Sequence, residues 1–246
     1  MTVDAARLAV ALAAALAAAG TALGPSVHYI KSPKGNFFMA LGKTIPDADV
    51  AETLPASSIC DCKSMCFVRL SCLAWSFVNL TDGTSECRLA DAGPSEHLVE
   101  NNTDAVYFFL QASVEGDYRF DVDGLLYLKP AELTTYASAK TNCERIPGHR
   151  LGIYKTMQQY QMLGDFTTTT ATEGSLYMDL KKVGTDLVWG DGTRYFDTEI
   201  GQNVVVKPFG TAGRYIMVFW DMQLSDGRPG DSRQFMCQAN PLGVLW

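Results

Sequence analysis

Cysteine is the residue type with the most chemical potential in this sequence. The chain of 246 residues contains seven cysteines, and five of them are crowded into residues 60–87. Thiols at this density form disulfides or bind zinc. Zinc sites commonly use C-x-x-C pairs together with histidine, and the first four cysteines have neither feature. The pattern therefore favours disulfides and an oxidising compartment. The seven positions are Cys60, Cys62, Cys66, Cys72, Cys87, Cys143 and Cys237.

Two asparagines point to the same compartment. Asn79 and Asn101 each begin an N-x-T sequon, the acceptor sequence for N-linked glycans. These glycans are added only to exported chains, so we predict glycosylation at both positions.

The N-terminal segment is typical of a signal peptide. After Arg7, residues 8–19 are apolar and rich in alanine, and small residues follow them, so we predict a signal peptide over residues 1–24. The alternative is an amphipathic helix of the mature fold. Such a helix would lack a polar face, because the next charged residue after Arg7 is Lys31. No later apolar run is long enough to span a bilayer. We therefore expect a secreted, extracellular protein.

The sequence has no recognisable catalytic constellation. His28, His97 and His149 are far apart and fall in different predicted elements. Signatures such as G-x-S-x-G, H-E-x-x-H, a glycine-rich phosphate loop or a Cys-His pair do not occur. The formal net charge of −7 argues against a basic surface for nucleic acid. We predict neither enzymatic activity nor nucleic-acid binding.

Cysteine usage divides the chain into two parts. Five thiols precede Gln111 and two follow it, and residues 113–117 form a short polar break. We predict a linker at residues 113–117, between a domain of residues 25–112 and a domain of residues 118–246.

The first domain is predicted to be one helix on a small antiparallel sheet. Residues 55–58 supply a helix start, after which Cys62 and Cys66 lie one turn apart on the same face. Runs of β-branched and aromatic residues between turn sequences predict strands. Because a domain of this size has a limited core, disulfides would compensate for it. The predicted strands are residues 73–78, 86–89 and 106–110.

The spacing in this domain is similar to that of a known family. The order C-x3-C-x5-C, then an aromatic strand at residues 74–78, then C-x-L, resembles the PAN/apple module over about residues 30–112. The resemblance implies the disulfides Cys62–Cys87 and Cys66–Cys72. Cys60 is left over, and three interpretations stay open: an intermolecular bridge in a covalent homodimer, a re-paired framework, or a buried free thiol.

The second domain begins with a predicted hairpin. Residues 118–120 and 125–128 alternate around the turn Asp123-Gly124. The sequence Asp121-Val-Asp123-Gly124 also resembles the start of a calcium loop, but no glutamate stands at the required distance, which favours the turn. Helices are predicted at residues 132–144 and 156–166. In the first of these, the predicted inward residues are Leu133, Tyr136, Ala137, Lys140 and Cys143. The predicted later strands are residues 176–180, 187–189, 214–220 and 234–237.

Several motifs of this domain occur in the order found in another family. The sequence resembles the C-type lectin-like domain over about residues 118–240, and the resemblance implies a disulfide between Cys143 and Cys237. Such a bridge stabilises by about 4–5 kcal/mol in the chain-entropy model. The fold class expected for the chain is therefore α+β, with an apple-like domain followed by a lectin-like domain of two helices, antiparallel strands and a long loop. The motifs are a helix at residues 134–143, Gly148-His-Arg-Leu151, Tyr177-Met-Asp-Leu180, Val188-Trp-Gly-Asp-Gly192 and Phe235-Met-Cys237.

In sugar-binding members of that family, calcium is held by a Glu-Pro-Asn or Gln-Pro-Asp loop and a Trp-Asn-Asp strand. Calcium takes six to eight oxygen ligands, so several carboxylate or amide groups must converge. Here no proline separates Gln202 from Asn203 in the loop. In the strand, Met222, a poor calcium ligand, follows Asp221. We therefore predict no cofactor, and calcium is the only candidate ion. The weak candidate ligands are Glu199, Gln202, Asn203 and Asp221; the alternative is a loop of solvated polar side chains.

The predicted long loop, residues 196–209, has no cysteine pair to pin it, so its order would rest on packing alone. Trp189 and Trp220 could stack on a sugar ring, but their positions in the family favour the core.

The sequence therefore predicts a secreted recognition protein that binds an extracellular glycan or protein ligand. The family inference is innate immune pattern recognition, with doubtful calcium dependence. The alternative is a structural or adhesive protein that acts through protein contacts and disulfide-linked assembly.

Overall fold

The first part of the chain, residues 25–112, forms a six-stranded antiparallel sheet with one helix on it. The computed structural model describes residues 24–166, 175–207, 215–218, 222–227 and 230–246. Most of the predicted signal peptide therefore lies outside the described residues. The strand order is β1-β2-β6-β4-β5-β3. The elements are β1 His28–Ile30, β2 Phe37–Thr44, β3 Glu52–Pro55, α1 Ile59–Phe67, β4 Ala74–Asn79, β5 Ser85–Ala90 and β6 Glu100–Leu110.

Helix α1 is fixed to this sheet by two disulfides. It begins after Ser58, whose side chain accepts a hydrogen bond from the backbone N–H of Asp61. A disulfide joins Cys62 to Cys87, with Cα atoms 5.2 Å apart, and another joins Cys66 to Cys72, at 5.3 Å. This is the pairing that the apple resemblance implies. The helix and the three strands predicted for this part are confirmed.

The second part, residues 118–246, contains two sheets and three helices within the described ranges. One sheet has the order β7-β8-β16-β9, and the other has the order β11-β10-β13-β14-β12, with β15 beside β10. The helices are α2 Tyr136–Arg145, α3 Met157–Met162 and α4 Glu199–Asn203. The strands are β7 Asp117–Phe120, β8 Leu126–Lys129, β9 His149–Leu151, β10 Leu176–Val183, β11 Asp186–Trp189, β12 Val206–Lys207, β13 Tyr215–Val218, β14 Leu224–Gly227, β15 Gln234–Phe235 and β16 Cys237–Ala239.

Helix α2 begins four residues later than predicted. The side chain of Thr135 accepts a hydrogen bond from the backbone N–H of Ser138 and starts the helix there. The buried face is Tyr136, Ala139 and Cys143. The predicted inward positions of Leu133 and Ala137 are wrong, because Leu133 precedes the helix and Ala137 points away from the buried face; both are exposed.

The second part also differs from the expected pattern in two other respects. A third helix, α4, forms where the sequence predicted loop. The pairs β10 with β15 and β12 with β14 are parallel, whereas only antiparallel strands were expected. Both parallel pairs are only two residues long, because β12 and β15 are short strands at which the chain returns to the sheet.

A single disulfide closes the second part. Cys143 of α2 is bonded to Cys237 of β16, across 94 residues of sequence, with Cα atoms 5.2 Å apart. Both cysteines are completely buried. The bond therefore ties the first long helix to the last strand, as the lectin resemblance implies.

The two parts share one hydrophobic core, although each sheet belongs to one part only. Phe38 of the first part packs against Tyr118 of the second, with ring centroids 5.1 Å apart. The Ser26 hydroxyl donates to the backbone carbonyl of Gly148 at 2.7 Å. Gly148 has φ +75°, and a Cβ there would lie 2.4 Å from the Ser26 carbonyl oxygen, so glycine is required at this contact.

Candidate functional site

The described part of the predicted long loop belongs to a braced segment, which we call the 195–207 segment. It consists of a 3-10 turn at Tyr195–Asp197, helix α4 and strand β12. The hydroxyl of buried Tyr195 donates to the carbonyl of Val204 at 2.7 Å. The Thr198 hydroxyl donates to the Tyr195 carbonyl at 2.6 Å and accepts from the Gly201 N–H at 3.3 Å. Hydrogen bonds and packing therefore hold this segment.

Gly201 permits the closest contact within this segment. A Cβ at this position would lie 1.9 Å from the backbone oxygen of Tyr195. Any larger residue would push helix α4 away from the 3-10 turn.

The 195–207 segment presents apolar and amide side chains to solvent. Phe196 is 56% exposed and Val205 is 78% exposed, so the segment has apolar side chains at its surface. Gln202 and Asn203, between them in sequence, are also exposed. A surface that combines apolar contact with amide hydrogen bonding suits ligand contact.

Three of the four predicted calcium ligands, Glu199, Gln202 and Asn203, lie on helix α4. The Glu199 carboxylate accepts a hydrogen bond from the backbone N–H of Met157 at 3.1 Å, at the start of helix α3. The Asn203 side chain donates to the backbone carbonyl of Glu199 at 2.7 Å, and Gln202 projects from α4. Asp221 lies outside the described residues. Within the described ranges, no three acidic, histidine or cysteine side chains gather around a metal position.

An acidic residue that the sequence did not single out lies on the neighbouring strand. Asp226 of β14 is 2% exposed, and its carboxylate accepts from the Lys182 ammonium at 2.9 Å. An ammonium therefore compensates this buried charge in the way that a bound cation would. No sequence signal identifies this pair, because 44 residues separate its members.

A second buried carboxylate joins a helix to a strand. Asp179, in the motif at residues 177–180, is 3% exposed and accepts hydrogen bonds from the Tyr136 hydroxyl and from the Lys140 ammonium, the latter at 2.6 Å. Both donors belong to α2. This network positions the helix that carries Cys143, so its role is structural.

One of the two tryptophans predicted to lie in the core, Trp189, is buried in it. Trp189 is 1% exposed and packs against Tyr195, with ring centroids 6.1 Å apart. It supports the 195–207 segment from below. Trp220 lies outside the described residues.

The two buried histidines contact tyrosines and backbone. His149 Nε2 lies 3.0 Å from the Tyr118 hydroxyl, and Nδ1 lies 3.0 Å from the Pro147 carbonyl. Burial lowers the pKa of His149 to about 4. His97 Nε2 lies 3.1 Å from the Tyr107 hydroxyl, and burial also lowers its pKa. Neither set of contacts resembles a base held beside a nucleophile.

Cys60 is a free and exposed thiol on helix α1. The interpretation of Cys60 as a buried thiol is therefore wrong. Cys60 lies outside the helix face that carries Cys62 and Cys66, so the sheet does not cover it.

Both sequons are at the surface of the first part. The side-chain oxygen of Asn79 accepts from the Ser85 hydroxyl at 3.0 Å, and that of Asn101 accepts from the Lys43 ammonium at 2.6 Å. These bonds use the amide oxygens, and within the described residues the nitrogens, to which glycans attach, have no hydrogen-bond partner.

No protein-family model matches this sequence, and a comparison with curated proteins finds no similar sequence. Among solved structures, the chain is similar to C-type lectin-like domains that cover about half of it. The mouse scavenger receptor C-type lectin carbohydrate-recognition domain is 16% identical and covers 49% of this chain and 93% of its own, with a TM-score of 0.39. The C-type lectin domain of murine dendritic cell inhibitory receptor 2, in complex with N-glycan, is 14% identical and covers 52% and 99%, with a TM-score of 0.43. The C-type lectin CEL-I from Cucumaria echinata is 17% identical and covers 51% and 96%, with a TM-score of 0.38.

The described helices include none that is long and apolar enough to cross a membrane.

Proposed function

We propose that this chain is an exported, N-glycosylated, non-enzymatic recognition protein. Its second part is a C-type lectin-like domain that binds an extracellular glycan or protein ligand, and its first part is an apple-like domain. The closure of the second part between Cys143 and Cys237 supports this assignment, because it supplies a rigid frame for a binding segment.

The observation that carries the proposal is the exposed surface of the 195–207 segment. Binding residues often lie on loops that a rigid scaffold holds in place. Here Phe196 and Val205 expose apolar surface on the same segment as the exposed amides of Gln202 and Asn203, and buried Tyr195 and Thr198 fix its backbone. These side chains would contact the ligand directly.

Recognition through this segment is proposed to be independent of calcium. The buried Asp226 carboxylate on neighbouring β14 already has the Lys182 ammonium at 2.9 Å. A calcium ion at this carboxylate would have to displace the ammonium and find further oxygen ligands. Glu199 is meanwhile engaged with the start of α3.

Binding of the purified full chain to a glycan array, with calcium and with a chelator, tests the proposal. The variant Phe196→Ser should lower binding at least tenfold. Phe120→Ser is a matched control, because Phe120 is 49% exposed but lies on β7 of the other sheet. Binding that the chelator abolishes would contradict the calcium-independent mode. Equal binding by wild type and Phe196→Ser would contradict the assignment to the 195–207 segment.

The alternative function is a structural or adhesive role with protein partners, including a second copy of the chain. The exposed thiol of Cys60 favours it, because an exposed free thiol in an exported protein can form an intermolecular disulfide. Non-reducing electrophoresis of wild type and Cys60→Ser distinguishes the two functions. A dimer band lost in the variant, with no binding to the glycan array, would favour adhesion.

A further inference from the structure

A cavity of about 600 Å³ lies between the two parts of the chain, and we call it the inter-part cavity. The first part contributes Leu73, Ser95 and Glu96, and the connecting residues 112–115 form one wall. The end of helix α2 also lines the cavity. The volume is within the range of sites for small molecules, which often lie at domain interfaces.

The floor of the inter-part cavity is apolar. Val114, Leu128, Ile146 and Phe235 line it, and each is at most 5% exposed. A ligand with an apolar body would therefore lose water-exposed surface against these side chains.

The rim carries carboxylates. Glu96, Glu115 and Glu132 line the cavity and are exposed. Within the described residues, none of these three carboxylates forms an ion pair. Asn142 of α2 donates to the Glu132 carboxylate at 2.7 Å and holds it at the cavity. This side of the rim is suited to an ammonium group.

A guanidinium group lines the same cavity. Arg145 also lines the cavity and lies one helical turn beyond Asn142. Its Nε is buried and has no hydrogen-bond partner within the described residues. A buried donor without an acceptor is destabilising, and a ligand acceptor would remove this cost. The cavity lining therefore presents both a donor for an anionic group and an acceptor for a cationic one.

We propose that the inter-part cavity binds a small zwitterion with an apolar body, the chemistry shared by apolar amino acids and short apolar peptides. The ligand carboxylate meets Arg145, the ammonium meets Glu132, and the apolar body rests on the floor. This site goes beyond the proposed function, because it shares no residue with the 195–207 segment.

Calorimetric titration of the full chain tests this site. The probes are L-phenylalanine and the dipeptide Leu-Phe, with phenethylamine and 3-phenylpropanoate as analogues that each carry one of the two charges. We expect at least one zwitterion to bind and each analogue to bind at least tenfold more weakly. Whichever of L-phenylalanine and Leu-Phe binds more tightly shows whether the site prefers an amino acid or a peptide. Absence of zwitterion binding, or equal binding of the amine, would overturn the proposal.

Variants assign the two charged ends. Arg145→Met should weaken zwitterion binding at least tenfold and leave the affinity for phenethylamine unchanged. Glu132→Gln should no longer bind the zwitterion more tightly than 3-phenylpropanoate, which lacks the ammonium. Glu100→Gln is the control, because Glu100 is exposed on β6 away from the cavity lining. Ala112→Trp fills the cavity without removing a charge and should also abolish binding, which keeps the test valid if Arg145→Met does not fold. Wild-type affinity in the folded Ala112→Trp variant would exclude this site.

Discussion

Asp179 is a charged side chain on a buried strand, and two groups from helix α2 compensate its charge. The Lys140 ammonium lies 2.6 Å away, and the Tyr136 hydroxyl donates to the other carboxylate oxygen. Removing one partner of such a pair leaves a buried charge incompletely compensated.

Lys140→Met should therefore lower the free energy of unfolding by about 1–3 kcal/mol, the cost of a buried group that loses its partner. Urea unfolding measures this change. Lys181→Met is the control, because Lys181 is exposed on the same strand, β10. Adding Asp179→Asn to Lys140→Met should restore part of the loss. An equal effect of the two lysine substitutions would show that the pair is not stabilising.

The sequons lead to a second prediction for single residues. Because Asn79 and Asn101 are exposed, the exported protein should carry a glycan at each. Asn79→Gln and Asn101→Gln should each lower the apparent mass on electrophoresis by that of one glycan. The double variant should migrate like the wild type after enzymatic removal of N-glycans. Unchanged mobility after that treatment would contradict both glycosylation and the proposed route of export.

Single-residue predictions from the sequence succeeded where the signal was local. The spacing of Cys62 and Cys66 placed both on one face of a helix because one turn separates them. The partners of Asp179 and Asp226 could not be predicted, since the ammonium groups are 39 and 44 residues away in sequence. The candidate calcium ligands share the same difficulty, because local spacing does not determine whether oxygens converge.

At the scale of elements, the 195–207 segment depends on the close approach of helix α4 to the 3-10 turn before it. Gly201→Ala should displace the helix, because the added Cβ would lie 1.9 Å from the Tyr195 carbonyl oxygen. We expect a loss of stability of about 1–3 kcal/mol, typical of overpacking, together with weaker ligand binding.

Thermal unfolding and the glycan array measure the two effects of Gly201→Ala. Gly230→Ala is the matched control, because a Cβ at Gly230 would meet no atom within 4 Å. A Gly201→Ala variant with wild-type stability and binding would show that the segment tolerates a different backbone arrangement.

Elements with strong periodicity or end signals could be predicted, and short ones could not. Helix α3 was predicted from the apolar stripe of Met157, Tyr160 and Leu163. In the structure, a capping box of Thr156 and Gln159 starts it. Helix α4 has only five residues, too few to show a helical period, so the sequence indicated a loop. The start of α2 was placed too early because Leu133 fits the helical spacing although Thr135 is the cap.

At the scale of the whole molecule, a buried histidine lies where the two parts meet. The ring of His149 packs against Phe38 of the first part, with centroids 5.6 Å apart. Burial lowers the pKa of His149 to about 4, whereas an exposed histidine has a pKa of about 6.5. Between these values the unfolded chain binds a proton that the folded chain does not.

The contribution of His149 to stability should therefore be complete above pH 6.5 and decline as the pH falls to 4. The loss approaches about 3 kcal/mol at pH 4. Urea unfolding at pH 7, 5.5 and 4.5 measures it. His149→Gln should show a smaller decline, with the remaining decline arising from carboxylates and from His97. An identical pH dependence in wild type and variant would contradict a neutral, buried His149.

Cysteine usage led us to predict two parts, but it gave no indication of the contact between them. The shared core depends on pairs such as Phe38 with Tyr118, which are 80 positions apart and have no common motif. The inter-part cavity could not be predicted for the same reason, because its walls come from both parts. The link between Cys143 and Cys237 was expected only from the lectin resemblance.

Export and the closure of the second part are tested most directly by one measurement. The full chain is expressed in cells with a secretory pathway, and the protein in the medium is digested without reduction and mapped by mass spectrometry. We predict a peptide pair joined through Cys143 and Cys237, separate from the cysteines of the first part. Cys143 or Cys237 joined to the first part, or recovered as a free thiol, would contradict the closed frame on which the proposed recognition depends.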